Sequence, residues 1–303
     1  MARGSEEGAH PGWTGARSDD RARDSREEEQ SGPQRWSSHA ASIVRLNSSG
    51  RQSRQRSRVC PASILEFVLH AIFFDLDDTL VDDTVSLEQC AVIAARELTD
   101  GRGASPEALG TAYVDAAIEF WTNLEPRAPK PATGAIRRGM WAKALTRYGI
   151  DDESLATKLA RRFDELRVQR VELFPEAVPV LTALHQRYRM AIITNGYAET
   201  HDKKIARLEL GRFFDHIVLA GDLEMVKPNP DIFRHAMKLL DARPEESLMV
   251  GDRYDRDIIG AHEAGMRAVW IRCRDEMVPE GARAPDATIT SIAELPAVLA
   301  NLK

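Results

Sequence analysis

Ala71-Ile72-Phe73-Phe74-Asp75-Leu76-Asp77-Asp78-Thr79-Leu80 is the stretch that decides how this chain is read. Four apolar or small residues bounded by polar ones have the pattern of a strand buried on both faces of a parallel sheet. The run stops in two aspartates separated by one residue. Open α/β sheets bind ligands beyond the carboxyl ends of their strands, so Asp75 and Asp77 fall where chemistry is expected. Turn formation, or capping of a helix near Leu80, is the competing reading of the same two residues.

Working outward, buried-strand patterns recur at 70–75, 189–194, 216–220, 248–252 and 268–272, with a weaker one at 287–290. Helical patterns at 199–210, 229–240, 255–264 and 291–302 separate or follow them. Gly211 and the Lys227-Pro228-Asn229-Pro230 turn supply punctuation. Strands alternating with helices predict right-handed βαβ units and a doubly wound, Rossmann-like parallel sheet. Residues 82–172 break the alternation: 85–98, 106–122, 134–148 and 154–173 all carry apolar residues at helical spacing. A helical insertion between the first and second strands sits over the strand ends, where a lid excludes water and selects substrate. The predicted organisation is therefore a 1–67 tail, a core of 68–81 and 173–303, and a helical cap of 82–172.

Three later segments repeat the polar strand end. Ile192-Ile193-Thr194-Asn195-Gly196 ends in a hydroxyl, an amide and a turn. Leu248-Met249-Val250-Gly251-Asp252 is followed by Asp257, and Lys227 lies in the turn between them. Singly, each has an ordinary explanation: a turn, a surface lysine, a carboxylate favoured at a helix start. Their joint order along the chain does not.

These motifs resemble those of the haloacid dehalogenase superfamily, over residues 70 to about 300. Asp75-Leu76-Asp77-Asp78-Thr79 matches its first motif, Thr194 its second, Lys227 its third, and Gly251-Asp252 with Asp257 its fourth. The position of the insertion resembles the subgroup with a helical C1 cap. The stretches after Thr194 and Val226 look most like the nucleotidase and acylneuraminate-phosphatase branch. The resemblance implies a phosphomonoester hydrolase acting on a small sugar phosphate or nucleotide, with Asp75 as nucleophile and Asp77 as acid and base. It implies Mg²⁺ held by Asp75, the Asp77 backbone carbonyl and Asp252, with Asp257 behind them orienting Lys227 or a water. Thr194, Lys227 and backbone amides near Asp78 and Asn195 would hold phosphoryl oxygens. Crowding by Asp75 would keep Asp77 protonated near neutrality. An aspartate at 77 disfavours a dehalogenase, since halide leaves without a proton; a sugar phosphomutase and a non-catalytic binding protein are further alternatives.

Leaving-group recognition is expected from Trp121, Asn123, Glu125, Arg127, Arg137, Arg138 and Trp141, and Asp82 and Asp83 are expected to cap the first inserted helix. Composition narrows the partners. Residues 1–60 hold eleven Arg, no Lys, eight acidic residues and eleven Ser, leaving the remainder at about −9. An acidic body argues against nucleic acid as the partner of the core. The tail reads as disordered, its competitors being an RNA- or lipid-contacting arm at 51–58, a transit-like sequence, or a true start near Val68. Cys60, Cys90 and Cys273 form no metal or disulfide pattern, so a reducing cytoplasm is the default. No run is long enough to span a membrane, and homodimerisation is left open.

Overall fold

Along β1 (Ala71–Phe74), alternate side chains enter different cores: Ile72 and Phe74 pack on one face of the sheet, Ala71 and Phe73 on the other. The computed structural model describes residues 68–302 except 101, 102, 126, 128, 133 and 275. The expectations for residues 1–67, Cys60 among them, lie outside the described residues.

After β1 come α1 (Asp83–Leu98), α2 (Pro106–Thr122), α3 (Ala135–Thr146), α4 (Glu153–Arg170) and α5 (Ala177–Leu184). The chain then runs β2 (Arg189–Thr194), α6 (Ala198–Arg207), β3 (His216–Leu219), α7 (Pro230–Leu239) and β4 (Ser247–Gly251). It closes with α8 (Ile259–Glu263), β5 (Arg267–Ile271), β6 (Ala287–Ile289) and α9 (Leu295–Asn301). The strands form one parallel sheet in the order β3-β2-β1-β4-β5-β6. Every residue of β1 and β4 is buried, as a sheet covered on both faces requires. The chain steps outward from β1 to β3, then returns to β4 on the other side of β1. The point where its direction reverses therefore lies between β1 and β4, and there a crevice opens at the strand ends.

Helices α1–α4 share a separate apolar cluster. Ala91, Ala94 and Ala95 of α1 and Ala112, Ala116 and Ala117 of α2 are buried, letting the two backbones approach closely. At Gly110 a Cβ would stand 2.5 Å from Val92 Cγ2, so only glycine fits there. Tyr113 stacks on Trp141 with centroids 4.4 Å apart, and Phe163 closes the cluster. Capping follows the sequence signals: Ser105 accepts from Ala108 N ahead of Pro106, and Asp152 accepts from Leu155 N.

Three local features differ from the sequence expectation. Residues 177–184 form a two-turn helix that the periodicity did not single out. The expected helix 255–264 is instead a π turn over Tyr254–Ile258 followed by α8. Asp82 and Asp83 make no side-chain cap for α1; Asp78 Oδ1 accepts from the amides of Asp83 and Thr84 at 3.1 and 2.9 Å. Among the described residues no helix is long and apolar enough to cross a membrane.

Candidate active site

The reversal point brings together the residues that the sequence scatters. Asp75 follows β1 and Asp252 follows β4; the two strands pair in register, and Asp75 N donates to Val250 O at 2.9 Å. Thr194 ends the neighbouring β2, Lys227 sits in the turn before α7, and Asp257 lies in the π turn after β4. Asp75, Asp77, Asp78, Thr194, Asn195, Lys227, Asp252 and Asp257 all line one cavity of about 490 Å³.

Lys227 is the hub of its floor. Its Nζ donates to Asp75 Oδ1 at 2.5 Å and to Asp257 Oδ1 at 2.6 Å. The Asn195 side chain fixes the lysine's backbone, accepting from Lys227 N at 2.8 Å and donating to Lys227 O at 3.0 Å. Asn195 thus anchors the lysine turn with its side chain. Burial disfavours the Lys227 cation, but Asp257 and Asp75 outweigh it and hold the ammonium above the usual lysine range. Asp257 is pinned from behind by Arg253 N, which donates to Oδ2 at 3.0 Å. Gly251 makes room for it: a Cβ there would stand 2.3 Å from that oxygen. Buried Thr194 accepts from Gly196 N at 3.2 Å, so its hydroxyl hydrogen remains a donor.

Asp75, Asp252 and Asp257 each offer an oxygen within 4.8 Å of the others. Burial pushes Asp75 up to about 7 against the pull of Lys227, with Asp257 and Asp77 adding to the rise. Burial also pushes Asp252 up to about 9, reinforced by Asp75 and Asp257. Buried carboxylates so close need a cation or protons between them. Three buried hard oxygen donors at this spacing fit Mg²⁺.

Asp77 overturns an expectation. Its enclosure favours the neutral acid, yet Lys204 and His201 overcome that and hold the carboxyl well below the usual range. Lys204 Nζ donates to Asp77 Oδ1 and, at 3.2 Å, to Asp83 Oδ1; His201 Nε2 lies 2.9 Å from Asp77 Oδ2. Asp77 is therefore ionised here, because a buried lysine satisfies it where a proton was expected. Lys204 and His201 were missed in the sequence. Their spacing of three on the helix that follows the Thr194 strand end was the available signal. Asp78 also differs: its amide, expected to face a phosphoryl group, donates to Val81 O at 2.8 Å. Its carboxylate caps α1 and pairs with Arg274.

The facing wall comes from α1 and α2: Leu87, Val114, Ala117, Ile118 and Trp121. Of the residues expected to read the leaving group, Trp121 alone lines this cavity. Trp141 and Arg137 are buried among α1–α4, Arg137 donating to Tyr113 Oη and pairing with Asp164. Their place at helical spacing with Ile136, Met140, Ala144 and Leu145 turns them inward. Arg127 pairs with Asp231 on α7; Asn123, Glu125 and Arg138 do not line the cavity. Three unexpected arginines do: Arg253, Arg256 and Arg274.

Residues 69–265 match the family model for haloacid dehalogenase-like hydrolases. The chain is 29% identical to mouse (Mus musculus) N-acylneuraminate-9-phosphatase over 238 residues, covering 77% of this chain and 95% of that one. It is 33% identical to glyceraldehyde 3-phosphate phosphatase of Pyrococcus abyssi over 214 residues, covering 68% and 82%. Among solved structures, a 2-haloacid dehalogenase from Pseudomonas syringae pv. Tomato DC3000 superposes with a TM-score of 0.56 at 29% identity, covering 78% and 100%.

Proposed function

Because the chain belongs to the haloacid dehalogenase-like hydrolases, we propose that it is a Mg²⁺-dependent phosphomonoesterase of small phosphorylated metabolites, working through an aspartyl-phosphate. The observation that carries the reading is Asp75: a carboxylate at the β1 end, held by Lys227 beside Asp252 and Asp257, in a cavity walled by the inserted helices. Phosphatases among the relatives support the ester class. Helices α1–α4 would serve as the cap.

Asp75 and Asp252, with the Asp77 backbone carbonyl, would hold the Mg²⁺; when bound it neutralises charge on the phosphoryl group. The chain's own residues do the rest. Lys227 offsets Asp75 and Asp257 and donates toward the phosphoryl oxygens, with Thr194 as a neutral donor. An Asp75 oxygen attacks phosphorus while the bond to the ester oxygen breaks, and the departing alkoxide takes a proton from Asp77. A phosphate dianion arriving beside Asp77 adds like charge, which drives its carboxyl back toward the protonated form. Asp77, then ionised again and braced by Lys204, accepts the proton of the water that attacks the phospho-Asp75. Inorganic phosphate leaves and Asp75 is restored.

Phosphate release from sugar phosphates, nucleoside monophosphates and phosphoglycolate, measured with Mg²⁺, tests this. Wild-type protein should turn over at least one ester, and Asp75→Asn should bring release to background. No release from any of them, or turnover by Asp75→Asn matching wild type, refutes the assignment.

A further inference from the structure

Arg256 has burial and partners that the phosphatase reading does not use. It is 8% exposed, it lines the cavity, and it projects from the π turn toward the wall formed by α2. Its Nη2 donates to the backbone carbonyls of Trp121 and, at 3.1 Å, of Thr122, at the C-terminal end of α2. Among the described residues its ion pair is with Asp255, whose oxygen stands 3.8 Å from Nε, too far for a hydrogen bond. Asp255 is itself bound to both Nε and Nη2 of Arg253, at 3.0 Å each. Arg256 Nη1 makes no hydrogen bond among the described residues, and the residue lines the cavity.

A guanidinium taken out of water and given only backbone carbonyls and a distant carboxylate is under-compensated. Its planar fork suits a carboxylate or phosphate. Arg253 and Arg256 line the same cavity as the proposed phosphoryl-binding floor, and Arg256 reaches from beside Asp257 to the C-terminal end of the apolar α2 wall. The geometry points to Arg256 as the specificity determinant for a second anion carried on the alcohol part of the phosphate ester. This rests on the phosphatase reading and narrows its substrate class to phosphorylated acids or bisphosphates. The ester's apolar face would lie on Val114, Ile118 and Trp121, and its second anion would take the Nη1 edge while Nη2 keeps its carbonyls.

The rival role is a tie between the π turn and α2 that serves every substrate alike. The discriminating measurement is the ratio of kcat/KM for an anionic ester to that for a neutral one. Suitable probes are 2-phosphoglycolate and 3-phosphoglycerate (carboxylate) and fructose 1,6-bisphosphate (second phosphate), each against glycerol 3-phosphate. In wild type the ratio should favour at least one anionic class by tenfold or more, and the favoured class identifies the second anion. Arg256→Gln should cut that ratio by about 10- to 100-fold, the worth of a charge-assisted pair, and Arg256→Lys should restore part of it. An equal loss on both esters in Arg256→Gln overturns the inference in favour of the tie. Should Arg256→Gln fail to fold, the wild-type ratio decides, and a ratio near one overturns it. Release from glycerol 3-phosphate without anionic preference sinks this inference alone, while no release from any ester sinks it together with the phosphatase reading.

Discussion

Adding Mg²⁺ to the metal-free protein should expel protons, and the number is set by Asp75 and Asp252. Their carboxyls are pushed up to about 7 and about 9 because the pocket buries several acids together. At pH 7 the first is about half protonated and the second almost wholly so. A cation that requires both ionised should therefore displace ~1.5 protons there, ~2 at pH 6 and ~1 at pH 8. The apparent log Kd should fall with pH at those slopes, steepest in acid. Calorimetric titrations in buffers of different ionisation enthalpy count the protons directly. The same groups set the stability of the metal-free fold. A carboxyl whose folded value is raised costs nothing where both states are protonated, below about pH 4. The cost then grows as pH rises toward the folded value, so metal-free thermal stability should decline from pH 5 to pH 9 and Mg²⁺ should flatten the decline. A binding constant that stays level from pH 6 to pH 8, with no proton release, would refute the reading that Asp75 and Asp252 hold protons until a cation replaces them.

Lys204→Met removes the cation between Asp77 and Asp83 and should cost about 2 kcal/mol at pH 7, less than a sealed ion pair because Asp77 is partly exposed. Since the folded Asp77 carboxyl is held low, that loss should be full above about pH 4 and vanish as acid protonates it. Denaturant melts at pH 7 and pH 3 check the sign; equal losses at both would show that Lys204 acts by packing alone. Gly251→Ala forces a methyl into Asp257 and should cost about 1–3 kcal/mol. Turnover should drop at least tenfold more than substrate affinity, because Lys227 loses its brace; a variant with wild-type kcat would show that Asp257 does not position it.

The sheet was legible because strands buried on both faces are continuous apolar runs, and the polar residues that end them, Asp75, Thr194 and Asp252, stand out against those runs. Periodicity could not separate the π turn at Tyr254–Ile258 from an ordinary helix, because five residues are too few for a change of period to show in the apolar pattern. Helix α5 escaped notice because eight residues with a proline in the first turn hold few repeats to read. Arg137 and Trp141 have side chains suited to a polar or ringed leaving group, but their helical phase, shared with Ile136, Met140, Ala144 and Leu145, sets them inward. The charge state of Asp77 was illegible for a different reason. It is decided by a lysine 127 residues away, and nothing local to the motif announces that partner.

The long separations within the site also bear on how the molecule comes into being. Asp75 meets Lys227 across 152 residues, and Arg256 reaches Trp121 across 135. The adjacent strands β1 and β2 pair only after the whole run of α1–α5 between them has been looped out. Such closures cost little more free energy as loops lengthen, but they slow the search for native pairing. On refolding, helical signal should therefore return well before turnover does. No fragment ending before Lys227 would show any activity, so catalysis in this chain doubles as a reporter that the contact between Asp75 and Lys227 has formed.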